Sequence, residues 1–570
     1  MDSEDKLYFC AAALTRVRVP LKHLAMARIH FKSKYDPFVL ISLSGVLARL
    51  PFYLAYKPIW SSDSWGYSLP YFFWINHDFY LGERTPGYPL FLGLTQWLAG
   101  TAARPALSLP AAYTTVCLQS LLDVLAASLL YYALAVIRVR RSIALVSALF
   151  AVTIPGLCNF EMNILNISLA FFCLTLAATA FAIMMRKLGE ERQFIGASVV
   201  TGLLLSCAGL VRPENLVFLA VLAAAMIGIS LRSLWSRLTS EVPRRLAVAA
   251  VLMLVSAAPL VLAWMTWNYV GIGEFRITTL TGWNRSKTVY NMFDRVGPED
   301  RLVGEILSSS YRQRNSNGRI VRDHVWQAQT ILGERYWEMP IEDSTRSLSA
   351  FHQKVDRIFE DVLGMKFRIP CDRPDKLCTE LLRREVDIYD YRLKVNLGNY
   401  VGKVSWKLIR KYPGSYLYNV ADNFVRDTFN FRYVDARSAV AGAHSISLDG
   451  KDYVKNRVFA GLVEKAVIVQ APLLSVLYFI TIGFVLSSPL VLTGKAHEHA
   501  ITDATVTLLA MATVGTFVAT CMLSGFNKEY SAPHLGVLVI CGAYAVENRA
   551  RIAAAIFSNR PAALRSAGKG

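Results

Sequence analysis

The apolar residues of this 570-residue chain fall in continuous blocks of about twenty, and no other feature constrains its fold as strongly. A block of that length spans a hydrocarbon core as a helix. Inside lipid every backbone N–H and C=O must be satisfied within the protein, so only helices and closed barrels cross. The blocks are continuous rather than alternating, which predicts helices. The expected spans cover 37–56, 112–137, 143–157, 164–185, 194–211, 213–231, 246–269, 461–492, 504–523 and 533–546. A shorter apolar stretch, 86–100, reads as a juxtamembrane or re-entrant helix.

Composition agrees. The chain is 54% hydrophobic and only 18% charged, with mean hydropathy +0.34. A soluble domain has about a quarter of its residues charged. The net charge of +19 does not point to nucleic acid, because it follows the spans. Arg138, Arg140 and Arg141 form one basic loop, and Arg232, Arg237, Arg244 and Arg245 form another. Basic residues also crowd both tails, from Arg16 to Lys34 and from Arg549 to Lys569. With ten spans all of these share one side, which the positive-inside rule makes cytoplasmic. No cleavable leader is expected, since the first 37 residues lack an apolar core segment. The expected location is the cell inner (cytoplasmic) membrane, with the functional face toward the periplasm or exterior.

The expected class is therefore an all-α polytopic membrane protein of about ten transmembrane helices, with a large α-rich extracytoplasmic segment between the seventh and eighth. The expected divisions are a basic tail 1–36, a transmembrane catalytic module 37–287 with outer loop 57–85, an extracytoplasmic domain 288–460, C-terminal helices 461–548 and a basic tail 549–570. Six of the nine cysteines (Cys117, Cys158, Cys173, Cys207, Cys521 and Cys541) lie in or beside apolar blocks and read as small apolar filler. Cys371 and Cys378 stand apart in the polar segment, where an oxidising compartment would favour a bridge.

Several charged residues collect on the outer face of this map. Asp63, in Ser-Ser-Asp-Ser-Trp-Gly-Tyr, reads either as a general base or as a helix N-cap. Arg84 follows Glu83 and precedes Thr-Pro-Gly-Tyr-Pro. Its fork of donors suits a phosphate, and the plainer alternative is a cation snorkelling to water, with Glu83 as its ion-pair partner. Glu161 lies on the short link between the third and fourth spans, where it reads as a site acid or a solvated loop acid. Arg49 and Arg212 interrupt apolar runs, where a charge usually faces a cavity or a partner, and Arg49, in the outer half of the first span, reads more plainly as a cation snorkelling to water. Arg212 could pair with Glu214 or with a bound anion. Lys528 and Tyr530 follow the ninth span, either covering a phosphate or anchoring at the interface. Two acids and several cations from distant segments thus reach one membrane face, which suits a substrate with an anionic head and an apolar tail.

Taken in order, these stretches resemble the GT-C superfamily of membrane glycosyltransferases, on the bacterial branch of the protein O-mannosyltransferase and lipid A aminoarabinose transferase type (family 39-like). Asp63-Ser64-Trp65-Gly66-Tyr67 resembles the first-loop Asp motif, and 83–91 the motif after it. Glu161 resembles the second-loop acid. The run 202–214, ending Leu-Val-Arg-Pro-Glu, resembles the fifth-span signature, and 264–269 the end of the seventh. Lys528-Glu529-Tyr530 resembles a closing Arg-Tyr motif, with Lys-Glu in place of Arg. The resemblance covers roughly the first 285 residues and the last 50, by topology as well as motif. The segment 288–460 matches no motif of the family.

The resemblance implies a polyprenyl-phosphate sugar as donor and an envelope glycan, lipid or protein as acceptor. It implies catalytic roles for Asp63 and Glu161, and donor-phosphate contacts from Arg84, Arg212, Lys528 and Tyr530, with Glu83 and Tyr67 beside them. No cofactor is required by these residues, and a divalent metal is admissible but not indicated. A transporter or flippase of a lipid-linked substrate is the alternative. It should show repeated halves and helices broken at midplane, which this sequence lacks. A non-enzymatic envelope scaffold is a third class, in which Asp63 and Arg84 would be freely replaceable.

Overall fold

In the computed structural model the described residues are 36–60, 64, 67, 70–71, 84–102, 108–190, 193–235, 241–272, 274–278, 280–312, 391–429, 446–447, 453–493, 500–523 and 532–548. Asp63, Glu83, Cys371, Cys378, Lys528 and Tyr530 lie outside them. The chain divides into two compact units, Met1–Leu40 and Ile41–Gly570, and the contacts below are those of the second.

The protein is an α-helical, multi-pass membrane protein. Among the described residues seven helices are long and apolar enough to cross a membrane: Pro37–Ala55, Leu109–Val136, Ile167–Gly189, Gln193–Val211, Glu214–Leu231, Glu241–Val270 and Ile501–Leu523. The third expected span is a helix pair, Arg141–Thr153 and Pro155–Glu161, bent by 45°. The eighth and tenth expected spans carry the shorter apolar helices Leu474–Leu486 and Ala532–Glu547. In chain order we label Pro37–Ala55 α1, Ile59–Trp60 β1, Gly87–Leu98 α2, Leu109–Val136 α3, Arg141–Thr153 α4, Pro155–Glu161 α5, Ile167–Arg186 α6, Gln193–Val211 α7, Glu214–Trp235 α8 and Glu241–Ile272 α9. Then follow Thr281–Thr288 α10, Arg301–Arg312 α11, Tyr391–Lys411 α12, Pro413–Phe429 α13, Ile446–Ser447 β2, Arg457–Thr493 α14, Ala500–Leu523 α15 and Leu535–Glu547 α16.

Proline sets the breaks that shape the bundle. A residue before proline is pushed out of the helical region. Ile154, before Pro155, is extended at φ −61°, ψ 114°, and α4 ends there. Arg212 precedes Pro213 and ends α7; Tyr412 precedes Pro413 and separates α12 from α13. At the break before α5 the N–H of Gly156 donates to Gln470 Oε1 of α14 at 2.9 Å, satisfying a donor that the helix start leaves open. A helix in lipid is expected to keep its apolar residues on the outside as well. In α1 Leu43, Val46, Leu47, Leu50 and Leu54 are exposed at three- and four-residue spacing, the lipid-facing stripe of a span.

Within the bundle α7 packs between α6 and α9, α3 against α6 and α4, and α8 against α9 and α15. The opposite ends of these helices are gathered by Arg140, whose Nε lies 2.8 Å from Glu547 Oε1, and by Arg245, which donates to the carbonyls of Leu188 and Gly189. At the other end the chain leaving α1 is tied on both sides. The N–H of Ile59 donates to the Met162 carbonyl at 2.8 Å, and the Ile59 carbonyl accepts from Ile164 at 3.1 Å. On the other flank β1 pairs antiparallel with β2, Ile59 opposite Ser447.

A second core lies outside the spans. Trp283, Val289, Met292 and Phe293 pack against Val303 and Leu307 of α11 and Leu397, Val401, Val404 and Leu408 of α12. The helices α10 and α12 approach so closely that a Cβ on Gly282 would stand 1.7 Å from the Gly398 carbonyl oxygen. This core begins at Leu280 and Trp283, so the turn of helix before residue 288 belongs to it.

Candidate functional site

The end of the bundle where α1, α5 and α7 finish and α3, α6 and α8 begin holds most of the described charged residues singled out above. Arg49 and Glu161 meet there. Arg49 Nε donates to Glu161 Oε2 at 2.7 Å, and Nη2 donates to Oε1. Nη1 donates to the carbonyls of Gly45 (2.9 Å) and Val152 (3.1 Å). Ser120 Oγ donates to Glu161 Oε2 at 2.6 Å. Both residues are buried, at 4% and 1% exposure.

Two expectations change with this pair. Glu161 is not a solvated acid on a link between spans, because the bend at Pro155 carries it inward as the last residue of α5. Arg49 does not snorkel, because Glu161 and two carbonyls take up its donors inside the bundle. A buried charge at this depth is retained only with such a partner.

Arg84 reaches the same region by a chain of aromatic and amide contacts. Its guanidinium carbon lies 4.7 Å above the Tyr67 ring. Tyr67 packs edge-on against Tyr88, with ring centres 5.1 Å apart at 80°. Tyr88 Oη donates to Gln119 Oε1 at 2.6 Å. Gln119 Nε2 donates to the carbonyls of Glu161 (2.7 Å) and Asn163 (2.9 Å). Four segments distant in sequence are thereby fixed to one another, and the buried rings of Tyr67 and Tyr88 leave this alignment little freedom. Ser64, next in sequence after Asp63, is fully buried.

Arg212 lies alongside. Its Nε stands 2.6 Å from Glu214 Oε1, the pairing that local sequence suggested. The neighbouring Val211 carbonyl accepts from Thr85 Oγ1 (3.2 Å) and from Asn166 Nδ2 (3.0 Å). Arg84 and Arg212 therefore flank a direct contact between the segments 84–87 and 210–212. Gly87 makes that contact close: a Cβ there would fall 2.7 Å from Val211 Cγ2 and 2.8 Å from the Leu210 oxygen.

Three buried residues at this end carry no sequence expectation. Gln119 is one. Asp123 is another: it lies one turn deeper than Ser120 on α3, accepts from Ser168 Oγ at 3.0 Å, and its Oδ1 has no hydrogen-bond partner among the described residues. The spacing of Gln119, Ser120 and Asp123 on one face of an otherwise apolar helix was the available signal. His534 is the third, fully buried between Phe517 (5.1 Å, edge-on) and Phe218 (5.7 Å). Among the described residues no three His, Cys, Asp or Glu side chains come together as a metal site.

No protein-family model and no curated protein matches the chain. Solved structures do. The archaeal oligosaccharyltransferase AglB of Archaeoglobus fulgidus, in complex with an inhibitory peptide and a dolichol-phosphate, aligns over 92% of this chain and 52% of its own, at 11% identity and TM-score 0.41. The apo form of the oligosaccharyltransferase from the same organism aligns over 91% and 51%, at 12% identity and TM-score 0.42. A form tethered to an acceptor peptide by a disulfide bond aligns over 78% and 57%, at 10% identity and TM-score 0.35. The chain spans about half the length of the first two.

Proposed function

We propose that the protein is a glycosyltransferase that moves a sugar from a polyprenyl-phosphate donor to an envelope glycan, lipid or protein at one face of the membrane. The observation that carries the reading is the fixed path from Arg84 through Tyr67, Tyr88 and Gln119 to the loop after Glu161, with Arg212 flanking it. It holds two guanidinium groups at the end of an apolar bundle, where a lipid phosphate with its tail among the helices would present its charge.

The transfer is an inverting single displacement. The acceptor hydroxyl oxygen attacks the anomeric carbon, the bond from that carbon to the phosphate oxygen breaks, and polyprenyl phosphate leaves with the electron pair. Asp63 takes the hydroxyl proton. Arg84 and Arg212 stabilise the charge on the departing phosphate, helped by Lys528 and Tyr530. Preorganised cations at a developing charge contribute on the order of 3 kcal/mol each. Glu161 acts as a positioning residue in this scheme, because Arg49 and Ser120 occupy its carboxylate.

The test is transfer by the purified full chain in lipid nanodiscs, with a panel of polyprenyl-phosphate hexoses and pentoses and mass spectrometry of products. One polyprenyl phosphate should be released per sugar transferred. Transbilayer movement of an intact lipid-linked sugar, without release of polyprenyl phosphate, would establish the transporter reading instead.

A further inference from the structure

The helix α13 carries apolar residues on opposite sides, and the described residues cover only one of these sides. On the inner face Val420 packs with Tyr478, Phe517, Cys521 and Leu538 of the membrane helices, joined by Tyr416 and Phe424. Tyr416 Oη donates to the Met522 carbonyl at 2.8 Å, which pins α13 at the end of α15. On the outer face Gly414, Leu417, Tyr418, Ala421 and Val425 are exposed at three- and four-residue spacing, with the part-exposed Asp422 at their edge. Tyr418 is 69% exposed and Leu417 58%. A contiguous exposed apolar stripe of this kind marks a surface for lipid or a partner rather than for water. At the end of α15 to which α13 is tied, Val518, Met522 and Leu523 are exposed as well.

The preceding helix supplies the complementary charge. Lys403, Trp406, Arg410 and Lys411 are exposed at the C-terminal half of α12. Arg410 lies 5.2 Å from the Trp406 ring centre and Arg285 5.5 Å from it. Lys411 and Arg295 each lie 5.5 Å from the Tyr412 ring. Four cations therefore surround two amphipathic rings directly before the apolar stripe of α13. Trp and Tyr settle at the headgroup level of a bilayer, and each Lys or Arg near the surface strengthens contact with anionic lipid.

We propose that α13 lies in the plane of the bilayer surface, with Leu417, Tyr418 and Val425 in the apolar layer and Arg410, Lys411 and Trp406 of α12 holding the phosphates of anionic lipid headgroups. The module of α10–α12 is then seated on the membrane rather than held above it. The anchor stands independently of the transfer reaction.

The experiment places a benzophenone amino acid at Leu417, Val425 and, as control, Glu305 of α11, in the full chain reconstituted into vesicles of phosphatidylcholine alone or mixed equally with phosphatidylglycerol. Glu305 is 59% exposed and bears on no apolar stripe. Phospholipid adducts at 417 and 425 and none at 305 are expected. Phosphatidylglycerol should raise the yield at 417 by at least about twofold, and Arg410→Glu with Lys411→Glu should abolish that difference. Absence of lipid adducts at 417 and 425 would overturn the proposal, as would adducts to a second copy of the chain in their place. Equal yields in the two vesicles would remove the headgroup contact.

Discussion

Arg49 of α1 and Glu161 of α5 stand 112 residues apart in sequence and form one buried ion pair, with Nε 2.7 Å from Oε2. The pair joins the first span to the bent helix that precedes the site loop. Removing one member of a buried pair leaves an uncompensated charge, which costs about 3–5 kcal/mol. Arg49→Met and Glu161→Leu should each lower the thermal midpoint of the detergent-solubilised protein sharply. The double variant should recover a large part of the loss, because no charge is then stranded. Size-exclusion fluorescence melts of the four proteins close the cycle. Equal and additive losses would show that the two side chains act separately.

The catalytic assignment rests on Asp63 and Arg84. Asp63→Asn keeps the size of the side chain and caps a helix as well as Asp does, so the protein should insert and melt as before. It cannot take a proton at neutral pH, and transfer should fall roughly a hundredfold or more. Arg84→Lys keeps the charge but loses the planar fork that pairs with phosphate and stacks on Tyr67. Its expected signature is a raised KM for the lipid donor with the melt unchanged. Undiminished transfer by a well-expressed Asp63→Asn protein would remove that residue from the reaction.

How legible these features were in the sequence depends on their range. The apolar blocks specify helices because each block satisfies its own backbone in lipid, and that needs no tertiary knowledge. The Arg212–Glu214 pair was readable because its members are two residues apart across a proline break. The Arg49–Glu161 pair was not, since it depends on how far the helix bends at Pro155 and on how α1 packs against it. Gln119 and Asp123 sat unnoticed in an apolar block, where single polar residues are common and only their shared face distinguishes them. The start of the second core at Leu280 was hidden for another reason: by sequence, residues 280–287 group with the transmembrane module, and only the packing of Trp283 against α12 shows that they belong to that core.

Gly87 tests the contact that brings Arg84 beside Arg212. Any Cβ at this position meets the Leu210 backbone oxygen at 2.8 Å and Val211 Cγ2 at 2.7 Å, so α2 must move away from α7. Overpacking of this kind costs about 1–3 kcal/mol. Gly87→Val should therefore reduce transfer by weakening donor binding, while Gly100→Ala, just past the other end of α2 with no atom within 4 Å of an added Cβ, should affect stability only through its left-handed backbone at φ +66°. A donor titration on both variants separates them. Normal donor affinity in Gly87→Val would show that the approach of α2 to α7 does not shape the site.

The last prediction concerns alkaline pH and the core of α10–α12. Asp300 is buried and accepts from Tyr400 Oη at 2.8 Å and from Lys407 Nζ at 2.7 Å, with Glu299 3.6 Å from the same ammonium. Burial raises the Tyr400 hydroxyl above its ordinary range, and the bond to Asp300 raises it further. The bond to Asp300 likewise raises Lys407. Both folded-state values exceed the unfolded ones, so the folded state holds these protons more tightly. Their contribution to stability is fully present below about pH 10, where neither group loses its proton in the unfolded chain, and is lost as pH climbs through the raised values. Limited proteolysis of the full chain at the 281–312 and 391–411 segments should be flat through neutral pH and accelerate above that point. Asp300→Asn removes the carboxylate on which both shifts partly depend, so the variant should be cleaved faster at neutral pH and respond less to alkali. An unaltered alkaline response in Asp300→Asn would place the sensitivity elsewhere in the protein.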